Sequence, residues 1–297
     1  MIMKKIKFYA IAALVATVLA GCSSDNDILP ETGKDAITFS VGVNNMTSRA
    51  GYSSSELPDL VRLRITGNDT KYSNIYLRKQ DDGSYNPDIL LTWKSDDRDV
   101  IATAFTSTFD YHRFSVQTDQ SSEENLKKSD LLGARSTDGD ITIEGNNITI
   151  SLGHWLTKLE VNFKFTNQYS QDNLPTISSA TLKGAFTKVE IMGSTLKLNE
   201  KTQVADINMF LQESPNIHAE AIFIPTSDNL SLQFQTLLGE TSKTYVCDIA
   251  TPEGGFQQGA KYTMTVIIGA SQIESSNIKA SIESGWSSPV NGGDLNT

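Results

Sequence analysis

Leu159-Glu160-Val161-Asn162-Phe163-Lys164-Phe165 carries an apolar side chain at every second position. Successive strand residues point to opposite faces, so a period of two marks an extended segment with one buried face. The same period recurs on both sides of this stretch. Ile37, Phe39, Val41 and Val43 alternate with Thr38, Ser40 and Gly42, and Val61, Leu63 and Ile65 alternate with Arg62, Arg64 and Thr66. Leu230, Leu232 and Phe234 repeat it, as do Tyr262, Met264, Val266 and Ile268. Turn signals fall between such runs at Asp82-Gly83, Gly145-Asn146-Asn147, Gly193-Ser194 and Gly254-Gly255. Many short strands divided by turns predict an all-β chain of antiparallel sandwiches rather than an α/β fold. Two segments are helix candidates: Ser122 to Leu132, with Ser121 or Ser122 as cap and Glu124 in the first turn, and residues 203–212.

The N-terminus reads as a leader. Lys4, Lys5 and Lys7 precede an apolar run of 13 residues, Phe8 to Ala20, and Leu19-Ala20-Gly21-Cys22 follows the pattern of a bacterial lipobox. The run is short for a membrane span and has the layout of a signal peptide. Residues 1–21 are therefore expected to be removed and Cys22 to be acylated. Residues 22–35, with Pro30 and Gly33, form a polar tether without strand or helix periodicity. The rest is long enough for two sandwiches, and Gly153 offers a break between the extended runs Ile148–Leu152 and Leu159–Phe165. The expected division is an N-terminal sandwich over 36–152 and a C-terminal sandwich over 153–297.

The chain of 297 residues has 25 Lys+Arg against 35 Asp+Glu, a formal charge of -10. Losing residues 1–21 removes three lysines and no acid, leaving -13. Such a surface argues against nucleic acid as a partner. Of the two cysteines, Cys22 is assigned to lipid, so Cys247 has no partner for an internal disulfide. Tyr245, Cys247 and Ile249 share a strand face, which makes Cys247 a buried small hydrophobe rather than a catalytic thiol. His112, His154 and His218 stand in no zinc spacing, and no nucleophile elbow or phosphate loop occurs. Asp96-Asp97-Arg98-Asp99 and Asp138-Gly139-Asp140 lack the spaced ligands of a calcium loop and read as solvated turns. No metal or cofactor is expected, and no catalytic residue. Trp93, Trp155 and Trp286 read as core or interface residues before they read as a sugar platform.

Asn44-Asn45-Met46-Thr47-Ser48-Arg49-Ala50-Gly51 lies between the first and second alternating strands. It is polar, carries a glycine and runs into Tyr52-Ser53-Ser54-Ser55. Loops of this kind are where proteases cut, although an ordinary interstrand loop has the same composition.

The order of these segments after the lipobox resembles the fimbrillin family of Bacteroidales, the Mfa-like group that builds type V pili. Ala36-Ile37-Thr38-Phe39-Ser40-Val41 followed by Thr47-Ser48-Arg49-Ala50 looks like the family's first strand and Arg-Ala segment. Trp93, Val100 to Phe105 and Ser129-Asp130-Leu131-Leu132-Gly133-Ala134 look like its middle signatures. His154 to Leu159, Phe256 to Tyr262 and Gly285-Trp286 look like its later ones. Ala104-Phe105-Thr106 departs from the pattern, since the family often carries more tyrosine there.

The resemblance implies two transthyretin-like sandwiches in tandem and a pilus subunit, structural or adhesive, and not an enzyme. It implies export as an outer-membrane lipoprotein precursor and cutting by an Arg-specific protease between Arg49 and Ala50. The first strand, with Ile37, Phe39, Val41 and Val43, would then be displaced and replaced by a strand of another pilus subunit. The donor would come from the C-terminus, where Ile278, Ala280 and Ile282 alternate before Trp286; the same residues also read as the last strand of the second sandwich. The alternative is a permanently lipid-anchored glycan-binding or adhesive sandwich that does not polymerise, and a secreted hydrolase comes third.

Overall fold

The structure, a computed structural model, describes residues 36–43, 57–67, 69–94, 99–106, 113–170, 173–191, 198–213, 217–269, 273–275 and 279–281. They are mostly strand. In chain order the strands are β1 (Thr38–Val43), β2 (Leu60–Gly67), β3 (Lys71–Lys79), β4 (Tyr85–Pro87), β5 (Val100–Thr106), β6 (Arg113–Ser115), β7 (Leu132–Arg135), β8 (Ile141–Glu144) and β9 (Asn147–His154). They continue with β10 (Thr157–Phe165), β11 (Thr176–Ile191), β12 (Leu198–Asn208), β13 (Phe210–Gln212), β14 (His218–Phe223), β15 (Leu230–Leu238), β16 (Thr241–Ile249), β17 (Lys261–Ile268), β18 (Ile273–Ser275) and β19 (Lys279–Ser281).

Among the described residues one α-helix forms, α1 (Glu123–Lys128), shorter than the run from Ser122 to Leu132. Ser122 caps it by accepting the Asn125 N–H at 3.2 Å, with acids in the first turn and lysines in the last. It stops at Ser129, whose hydroxyl donates back to the Asn125 carbonyl at 3.0 Å, and Leu132 already belongs to β7. The second helix candidate, 203–212, is instead strand, β12 and β13. Ile207 and Met209 are buried there on one face, a period of two that the neighbouring Phe210 hides in the sequence.

An eight-stranded sheet runs in the order β1-β9-β7-β5-β2-β3-β4, with β8 also on β9. It curls until its ends meet: Ala36 bridges Thr92, and the Ile37 N–H donates to the Leu91 carbonyl at 2.8 Å. The first core lies inside this curl and includes Leu63, Ile65, Leu77, Ala104, Ile148, Ile150 and Leu152. A six-stranded sheet, β13-β14-β10-β17-β18 with β19 also on β17, faces a five-stranded one, β12-β11-β15-β16 with β6 also on β11. Their inner faces enclose the second core; Phe163 from one and Phe234 from the other stand 5.1 Å apart between ring centroids.

Among the described strands two pairings are parallel, β1 with β9 and β10 with β17, where a wholly antiparallel arrangement was expected. Parallel neighbours need a long connection, and in both cases many intervening strands supply it. The break between the extended runs falls just after Gly153. Gly153 stays in β9 opposite Gly133, and the strand gives way at Trp155 and Leu156. Gly133 is needed for this corner, because a Cβ there would lie 2.6 Å from Trp155 Nε1.

The segment before β7 packs with the second core, not the first. Phe114, Val116, Leu126 and Leu131 are buried there, and β6 pairs with β11. Gln120 fastens this strap. Its side chain accepts the Ile222 N–H at 2.8 Å and donates to the Ile222 carbonyl at 2.7 Å, standing in for a missing strand neighbour. Gln120→Ala leaves both backbone groups buried and unpaired, at a cost of about 1–3 kcal/mol. Urea denaturation should show the midpoint falling with little change in slope.

Candidate functional site

The candidate site is the slot that holds β1. Sequence alternation gives β1 one apolar face, and the slot takes it: Ile37, Phe39 and Val43 are buried and Val41 is half-buried against the first core. Burying four such side chains is worth roughly 6–10 kcal/mol as an upper bound. One lip of the slot is the edge of β9. Thr38 to Val43 run alongside Asn147 to Leu152 in register, Phe39 beside Ile148 and Val43 beside Leu152. The other lip is short and lies at the start of the strand, where Leu91 and Thr92 meet Ile37 and Ala36. The β8–β9 turn builds the entrance. Gly145 takes φ 59 there, and the Asn146 carbonyl accepts the Thr38 N–H at 2.8 Å. On the outward face, Asn147 Oδ1 accepts from Thr38 Oγ1 at 3.2 Å and from Ser40 Oγ at 3.5 Å.

A second cluster is ionic and lies on the outer face of the six-stranded sheet. Lys158 Nζ sits 2.8 Å from Glu220 Oε2 with both side chains buried, and His218 Nε2 lies 3.5 Å from the other oxygen. Lys261 pairs with Glu160 at 2.9 Å, and His154 Nδ1 meets Asp130 Oδ1 at 2.7 Å nearby. Burial works against charge on Glu220, but His218 and Lys158 outweigh it and hold the carboxyl below the usual glutamate range. Burial likewise pushes the Lys158 ammonium down, against the pull of Glu220. The row joins strands to each other and offers no open carboxylate pair to a substrate. Among the described residues no group of three or more His, Cys, Asp or Glu is placed to hold a metal.

A sequence profile of the family described as fimbrillin-like matches residues 33–285. The chain belongs to the fimbrillin-like family. No curated protein matches it in sequence. A candidate cell adhesion protein from Bacteroides uniformis is 18% identical, with a TM-score of 0.61, over 87% of this chain and 100% of that one. A second from Bacteroides ovatus is 15% identical, with a TM-score of 0.59, over 84% and 98%. The tip fimbrial protein Mfa3 from Porphyromonas gingivalis, truncated at its C-terminus, is 9% identical, with a TM-score of 0.51, over 82% and 99%. At these identities the likeness speaks for a shared all-β fold.

The remaining sequence candidates of this fimbrillin-like chain fall in different places. Cys22, Arg49, Ala50, Ile278, Ile282, Trp286 and His112 lie outside the described residues. Ala280 is in β19, where it stands opposite Tyr262 of β17 in the same chain. Cys247 is half-buried and packs against the second core, and burial pushes its thiol up to about 11, far from a reactive thiolate. Trp93 belongs to the first core and Trp155 to the second, so they form no exposed sugar platform. Asn147 was not singled out in the sequence. Its only signal is its position in the Gly145-Asn146-Asn147 turn, which does not tell which strand lies beside it.

Proposed function

We propose that this fimbrillin-like chain is a cell-surface pilus subunit, structural or adhesive, which accepts a strand from a neighbouring subunit in the β1 slot. Family membership supports a fimbrial or adhesion subunit over an enzyme. The observation that carries the finer reading is β1 itself. It is an edge strand held by six pairs to β9, with its apolar face inserted in the first core. It connects onward to β2 through residues 44–59, which contain Arg49. Cutting after Arg49 leaves β1 bound by noncovalent contacts alone.

In this reading residues 1–21 are the signal peptide and acyl-Cys22 anchors the precursor in the outer membrane, with 36–152 and 153–297 as the two sandwich domains. An Arg-specific protease frees Ala50 as the new N-terminus and β1 departs. The bared edge of β9 and the empty apolar slot then favour β-addition by another subunit. The candidate donor contains Ile278, Ala280, Ile282 and Trp286. β19 pairs with β17 in the same chain, so donation by these residues requires that pairing to open.

Arg49→Ala is the test. Wild-type protein treated with an Arg-specific protease should form heat-resistant ladders on a gel, and its released form should begin at Ala50. Arg49→Ala should stay monomeric and anchored. Ladders from Arg49→Ala equal to wild type refute the strand-exchange account. A mature wild-type chain that begins at acyl-Cys22 and never forms ladders favours the permanently anchored, non-polymerising adhesin.

A further inference from the structure

The apolar alternation of β1 settles which face enters the core, but it is a poor ruler along the strand. A slip of one residue turns every side chain over and is strongly excluded. A slip of two restores the same faces. Sliding β1 by two toward the C-terminal end of β9 would set Gly42 beside Gly153, Ser40 beside Ser151 and Thr38 beside Thr149, since the pairs are now Gly42–Ser151, Ser40–Thr149 and Thr38–Asn147. Ile37, Phe39, Val41 and Val43 would still face the core, but Asp35 would follow them into the buried place that Ile37 leaves. β9 continues to His154, so backbone pairing would remain available along the way. The Ile37 N–H bond to the Leu91 carbonyl is no obstacle, because the backbone N–H of Asp35 can replace it.

Three features resist this slip, the first being the cost of carrying the Asp35 carboxylate into the place of Ile37. On the core face Phe39 is the one aromatic among Ile37, Val41 and Val43, and moving it leaves a mismatched volume. On the outward face Asn147 Oδ1 accepts from both Thr38 and Ser40, while its Nδ2 donates to Thr149 Oγ1 at 3.1 Å and so fixes the amide's orientation. The slip brings Ala36, which has no hydroxyl, to the place of Thr38 and moves Thr38 to the place of Ser40, so Asn147 keeps one of its two donors and loses the other.

We propose that Asn147 is a register-determining residue of the β1 slot, reading hydroxyl groups on the outward face of whichever strand occupies it. The slot thus recognises a strand on two faces: four alternating apolar residues inward, and Ser or Thr at the first two interleaved positions outward. For the strand supplied by another subunit this rests on the strand-exchange reading above; for β1 in its own chain it does not. The candidate donor places Lys279, Ser281 and Glu283 between its apolar residues. It matches the outward pattern at one position of two when Ile278 takes the place of Ile37, so a related subunit with both hydroxyls is the better-matched partner.

The test reads register directly in the full chain with Cys22→Ser and Cys247→Ala, so that introduced thiols are the only ones. One variant pairs Gly42→Cys with Ser151→Cys, which are opposite in the observed register. The other pairs Gly42→Cys with Gly153→Cys, which are opposite after the slip. Both glycines have room, since a Cβ at Gly42 meets nothing within 4 Å and one at Gly153 comes no closer than 3.9 Å to the Gly133 carbonyl. The first pair should oxidise in preference to the second. Adding Asn147→Ala should shift the ratio toward the slipped pair by about fivefold, the equivalent of one neutral hydrogen bond. Thr38→Val with Ser40→Ala should do the same, and Asn147→Asp, which keeps the acceptor oxygen, should not. A ratio unchanged by Asn147→Ala overturns the proposal and leaves the register to Phe39 and Asp35. A second arm adds synthetic Ala36–Val43 peptide, or its Thr38→Val/Ser40→Ala form, to protein cut after Arg49. The natural peptide should be retained about fivefold better. Equal retention refutes outward-face reading of incoming strands. Retention of neither refutes strand exchange, while the thiol pairs still decide the register within the chain.

Discussion

Phe39→Ala should cost about 3–5 kcal/mol, and the loss should be confined to the first core. Phe39 is 8% exposed and is the largest of the side chains that β1 inserts. Its removal leaves a cavity that Ile37 and Val41 cannot close without moving the strand. β1 is at an edge, so the chain has a cheaper response than global unfolding, namely local opening of that strand. Hydrogen exchange should therefore quicken at Thr38–Val43 and along the β9 edge from Asn147 to Leu152. β10 and β15 of the second core should keep their protection. Equal loss of protection in both cores would show that β1 does not open as a unit. In the proposed function the same variant should lose β1 sooner once the chain is cut after Arg49.

Lys158→Ala should be as severe, about 3–5 kcal/mol, for a different reason. Glu160 and Glu220 stand directly opposite each other on β10 and β14, an arrangement of like charges that normally destabilises a sheet. Lys158, Lys261 and His218 offset it. Without Lys158, Glu220 is a buried carboxylate short of a positive neighbour. Lys158→Met combined with Glu220→Leu should recover most of the loss, because it removes the charges together. The acid limb of the stability curve gives an independent check. A carboxyl held below its ordinary pKa contributes stability that is present above about pH 4.3 and is lost as pH falls through the lowered value. The double variant should lose less stability than wild type across that window in denaturant titrations at each pH. A single Lys158→Ala variant as stable as wild type would mean that the ionic row contributes nothing to the fold.

Lys158 also shows where sequence reading stops. Lys158, Glu160 and Asn162 alternate with Leu159, Val161 and Phe163, so they read as a solvent face. The face exists, but Lys158 and Glu220 are buried in it, and no local pattern announces that. Strand periods were legible wherever the pattern was clean, as at Phe39, Leu63, Phe163 and Met264, which all face cores. They failed at Ile207 and Met209, where an adjacent Phe210 blurred a period of two into an apparent helix. The slot was legible in half. Which residues of β1 are apolar is local information. That β9 lies beside it, in parallel, depends on chain more than a hundred residues away. Gln120 was invisible for the same reason, since its partner is Ile222.

The direction of β1 has a mechanical consequence. β1 and β9 run the same way, so Ala36 and Asn147 share one end of the ladder and Val43 and Leu152 the other. β9 leaves that second end through His154 and Trp155 to become β10, the centre of the second core's six-stranded sheet. Tension applied upstream of Ala36 and resisted by the second core therefore pulls the two strands at opposite ends. The six pairs are loaded in shear and must slide together; they are not peeled one after another as an unzipping load would do. A strand of the same polarity in the slot inherits that resistance, and one of opposite polarity, tugged from its other terminus, meets the same geometry.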